Sequence, residues 1–67
     1  MNEEQENANQ LENKVAKLSF KLYYDDIVTI AILMAQEVKD SINMYEGELN
    51  PKWKLWNDTI EVLKTRL

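Results

Sequence analysis

Apolar residues recur at helical spacing in three stretches of the chain. In the first, Leu11, Val15, Leu18 and Leu22 step by four, three and four, with Glu12, Asn13, Lys14, Lys17 and Lys21 on the other sides. That spacing marks an amphipathic helix. The second stretch, residues 25–46, holds most of the large aliphatic side chains. Ile27, Ala31, Met34, Val38, Ile42 and Tyr45 form one stripe, and Val28, Ile32 and Ala35 lie outside it. A helix with apolar cover this broad must be packed on both flanks. In the third, Trp53, Trp56, Ile60, Leu63 and Leu67 step by three, four, three and four, a heptad seam.

The joins between these stretches differ in clarity. The only Gly and the only Pro fall in residues 45–51. Gly47 suits the left-handed position after a helix, Asn50 suits an N-cap, and Pro51 suits the first helical position, where its missing amide costs nothing. Leu49, just before the cap, suits a hydrophobic staple onto the following turn. The earlier join, Tyr23-Tyr24-Asp25-Asp26, stays open between three readings. Asp25 can cap a new helix. Alternatively, one helix continues through the join, because Ala16, Phe20, Tyr23 or Tyr24, Ile27 and Ala31 keep helical spacing and neither Gly nor Pro interrupts them. A β-hairpin is the third reading, since Leu18 to Tyr23 alternates and residues 27–32 are rich in β-branched side chains. Continuation of the stripe to Tyr45 favours helix over strand. Residues 1–10 are polar, carry three Glu and show no apolar face. They read as either the first turns of a helix, where acidic groups complement the dipole, or a frayed tail.

The expected fold is all-α: a polar segment over residues 1–10, then one helical domain over 11–67. That domain has a helix from about 8 to 46, long or broken near Asp25, a turn at 47–50, and a short antiparallel helix over 51–66. A single short partner helix cannot cover both apolar faces of the central helix. Ile27, Val28, Ala31, Ile32 and Ala35, with Leu33 beside them, are therefore expected to meet a second subunit and complete a helical bundle.

Length sharpens that expectation. Sixty-seven residues bury little core, and a domain this small often needs a disulfide, a metal or a partner. The sequence has no Cys and no His, so there is no disulfide framework and the commonest metal ligands are missing. No cofactor and no metal site are expected. The formal net charge of −4 argues against a nonspecific grip on nucleic acid. The N-terminus does not read as a secretory signal, and the apolar run from Ile27 to Ala35 is too short to span a bilayer, so a soluble, cytoplasmic protein without membrane contact is expected.

Candidate chemistry is sparse. Glu37 and Asp40, three apart, share a helix face, but a metal site needs further carboxylates on a facing helix. The Ser and Thr residues have no His to activate them, and one Gly cannot build a phosphate loop. An enzyme is not expected. Tyr45, Leu49, Trp53 and Trp56 gather around the turn as a candidate aromatic cluster for a partner, Trp and Tyr being common binding anchors. Lys17 and Lys21 with Tyr23 and Tyr24 are a candidate anion site. The leading expectation is a small protein–protein interaction or regulatory protein, of the accessory, inhibitor or antitoxin kind, acting as a helical homo-oligomer. The alternatives are an oligomer binding a small anion such as a nucleotide between subunits, and a hairpin dimer binding RNA through Lys14, Lys17 and Lys21.

Overall fold

The computed structural model describes residues 2–18 and 21–67. It consists of three helices, α1 (Glu3–Leu18), α2 (Tyr24–Asp40) and α3 (Pro51–Lys64), and each packs on both others. No strand is present among the described residues; the nearest thing to one is a single antiparallel bridge between Tyr45 and Leu49. The molecule measures 44 × 24 × 17 Å.

The chain is all-α, but it is not one long helix followed by a hairpin. A straight helix over residues 3–40 would be roughly 57 Å long, more than the molecule's greatest dimension. Instead α1 stops at Leu18, and Tyr23 is extended, with φ −73° and ψ 160°. The helical spacing through this join does not mark a buried face, since Ala16, Tyr23 and Tyr24 are exposed. Ser19 and Phe20, which carried part of the continuous-helix and hairpin readings, lie outside the described residues. Asp25 is not the cap. Tyr23 holds that position without a side-chain hydrogen bond, and Asp25 and Asp26 lie in the first turn, where their charge complements the helix dipole.

The segment at residues 1–10 is helical from Glu3, and Ala8 is fully buried, so α1 begins well before residue 8. Glu3, Glu4 and Glu6 sit in its first turn, the favourable end for negative charge.

At its other end α2 stops at Asp40, earlier than the expected residue 46. The Ser41 hydroxyl donates to the Val38 carbonyl at 2.6 Å, alongside the Ser41 backbone N–H at 3.1 Å, so Ser41 closes the last turn on itself. Gly47 is consequently not a helix terminator. It stands at the tip of a small hairpin with φ +81°, in the left-handed region open to glycine, and the hairpin is closed by Glu46 N–H to Glu48 C=O and Asn50 N–H to Met44 C=O, both 2.9 Å. Asn50 caps α3 by accepting from the Lys52 amide at 3.0 Å, and Pro51 follows at the first helical position.

The core explains why α1 folds back. Ala8, Leu11 and Val15 of α1, Val28, Ala31 and Ala35 of α2, and Ile60 and Leu63 of α3 form one buried cluster. α1 thus supplies the second partner that the broad apolar surface of α2 requires, and it does so within the chain. Three of the eight cluster residues are alanine, so the core is thin. One polar tie crosses it: the Asn7 side-chain amide donates to Thr59 Oγ1 at 3.0 Å, and the buried Thr59 hydroxyl donates to Leu55 C=O at 2.7 Å.

Candidate functional site

The residues expected at a subunit interface lie inside this bundle. Val28, Ala31 and Ala35 are fully buried within the single chain, and Ile27 and Ile32 are half-buried against the same cluster. The face of α2 that the spacing offered to a second subunit is therefore covered by α1 and α3. Leu33 alone of that group points outward, 64% exposed.

The C-terminal part of the Ile27-to-Tyr45 stripe is only partly covered. Met34 is half-buried and Val38 is exposed, and both line an open groove of about 520 Å³ that residues of all three helices form together. Leu11, Met34, Val38 and Trp56 give it an apolar lining. Lys14 on α1 and Glu37 on α2, both exposed, contribute charges of opposite sign, and Ser41 completes it. Sequence spacing pointed to Met34 and Val38 as apolar. It did not point to a groove, because no periodicity links residues on three different helices.

The expected aromatic cluster is divided between different surroundings. Trp53 lies beneath the Lys39 ammonium, 5.3 Å from the ring centroid, and the same ammonium reaches Asn57 Oδ1 at 3.4 Å. Trp56 lines the groove. Tyr45 and Leu49 oppose one another across the hairpin, where Met44, Tyr45 and Leu49 are all exposed beside the exposed Glu46 and Glu48.

The expected anion site meets a carboxylate already in place. Tyr24 donates its hydroxyl to Glu12 Oε1 at 2.7 Å, and Arg66 Nη1 donates to Glu12 Oε2 at 3.0 Å. Both Glu12 and Arg66 are largely covered, with side chains 15% and 23% exposed. The hydrogen bond to Glu12, then burial and the Glu12 charge, hold the Tyr24 phenol above its ordinary pKa of 10.0. Tyr24 therefore engages an internal anion. Tyr23 and Lys17 are exposed, and Lys21 lies past the end of α1, so Lys14, Lys17 and Lys21 do not share one helix. Glu37 and Asp40 stand in different surroundings: Glu37 lines the groove, and Asp40 accepts from the Gln36 amide at 3.0 Å. Among the described residues no three metal-binding side chains gather, and no helix is long and apolar enough to cross a membrane.

No protein-family model, curated protein or solved structure matches the chain.

Proposed function

We propose that this chain is a small, non-enzymatic interaction protein that acts in the cytoplasm as a homo-oligomer and grips a protein partner through the hairpin at residues 44–49. The observation that carries the reading is the exposure of three large apolar side chains, Met44, Tyr45 and Leu49, within six residues of backbone tied by its own hydrogen bonds. A loop ordered before binding loses less conformational freedom on contact, and an exposed Tyr offers large contact area at low rotamer cost. Glu46 and Glu48 interleave with these side chains. Charge complementarity thus favours a partner surface that is apolar with basic residues around it.

The test is to pan a displayed library of peptides against the chain and then challenge enriched peptides with a Tyr45→Ala/Leu49→Ala double variant. Both residues lie outside the buried cluster, so helicity by circular dichroism should be retained. Peptides bearing apolar and basic residues that lose at least about tenfold in affinity for the double variant support the reading. Failure to enrich any peptide, or enrichment of peptides that bind the double variant equally well, overturns it.

A further inference from the structure

The groove between the helices has two properties that together point to its occupant. Its lining is apolar, through Leu11, Met34, Val38 and Trp56, and its charged groups are one cation from α1, Lys14, and one anion from α2, Glu37. Neither of the two side chains takes part in an ion pair or a hydrogen bond among the described residues. A groove with charges of one sign asks for a partner of the other sign. A groove with one charge of each sign is self-complementary, which is what a two-fold interface between identical subunits requires, since each residue then meets its counterpart's opposite.

We infer that a second copy of this chain occupies the groove in a two-fold dimer, with Lys14 of each copy facing Glu37 of the other and the Met34, Val38 and Trp56 side chains packed between them. The inference rests on the self-association in the reading above and names its surface. A further observation favours it. A thin core with three alanines among its eight residues leaves a 67-residue domain with little internal burial, so covering more apolar surface brings a large relative gain. A stable dimer covers about 800 Å² on each partner. That is roughly a sixth of the 4900 Å² this chain exposes, so the contact must run from the groove onto the surrounding helix surfaces.

The experiment is light scattering over a dilution series on the wild type, Lys14→Glu, Glu37→Lys and the Lys14→Glu/Glu37→Lys double variant, with circular dichroism on each. Both side chains are exposed, so the helical signal should not change. A single reversal sets like charges against each other twice in the dimer and should weaken it by at least about tenfold, while the double reversal restores opposite pairs and should return to within about threefold of the wild type. Raising the salt concentration should narrow these differences. A dimer indifferent to all three changes would overturn the groove as the interface and leave self-association standing. A monomer at every concentration would overturn both.

Discussion

Helices α2 and α3 begin in different ways. At α3 the start is local: Asn50 accepts from Lys52, Pro51 follows, and all the information lies within three residues. At α2 the start is tertiary. Tyr23 offers no side-chain cap, and the first helical residue, Tyr24, is fixed by Glu12 of α1, which Arg66 holds from beyond the end of α3. A local start should form wherever its few residues are present, whereas a tertiary start exists only once the other helices are in place. Helix nucleation is costly enough that either device matters to a domain of this size.

The sharpest way to break the contrast is Glu12→Ala. It removes the common acceptor of Tyr24 and Arg66 and leaves a largely covered guanidinium without its partner. A loss of about 1–3 kcal/mol is expected, read from the urea midpoint. The loss should be accompanied by faster amide exchange in the first turn of α2 than in the first turn of α3. Equal exchange at both starts would mean that Glu12 does not organise α2.

Asn50→Ala tests the local side and should cost about 1 kcal/mol, with Asn50→Ser close to neutral. Its effect on amide exchange should stay within the first turn of α3. Spread of that effect into α2 would show that the hairpin couples the two starts.

The smallest effect expected is on alkaline stability. Tyr24 has its pKa raised in the folded chain, so the stability it contributes is fully present below the unfolded value of 10.0 and is lost as pH rises through the higher folded value. The wild type should therefore lose stability above pH 10 more steeply than Tyr24→Phe, which has no phenol to ionise. Identical profiles above pH 10 would show that the Glu12 contact contributes nothing to this dependence.

The same contrast accounts for what could be read in the chain before its structure. The α3 cap and the buried positions Ile60 and Leu63 follow from local spacing, and they were legible. The break before α2 stood only as one of three readings, because Tyr23 carries no helix-stopping chemistry and the contact that fixes Tyr24 spans twelve residues. The assignment of α2's faces turned on the same gap. Without knowing that α1 folds back, Val28, Ala31 and Ala35 appear to need a second subunit, although a helix of the same chain covers them. The early stop of α2 left a faint mark in the sequence at Ser41, a residue that competes for backbone carbonyls. Three further apolar or aromatic positions, Ile42, Met44 and Tyr45, masked it. Of the candidate site, the apolar character of Met34, Val38 and Trp56 was visible in the pattern. Their convergence with Lys14 and Glu37 was not, since it depends on how three helices cross.

Gly47 carries a stereochemical consequence. Its backbone torsion, φ +81°, is the one a mirror-image amino acid prefers, and no neighbouring atom lies within 4 Å of where a side chain would begin. Space is thus no obstacle there and handedness is the only one. A D-alanine introduced at this position by chemical synthesis would rest at its own torsional minimum and restrict the unfolded chain, whereas the L-enantiomer would be forced into its least comfortable conformation. At the tip of the hairpin the backbone takes a left-handed torsion that no other described residue adopts.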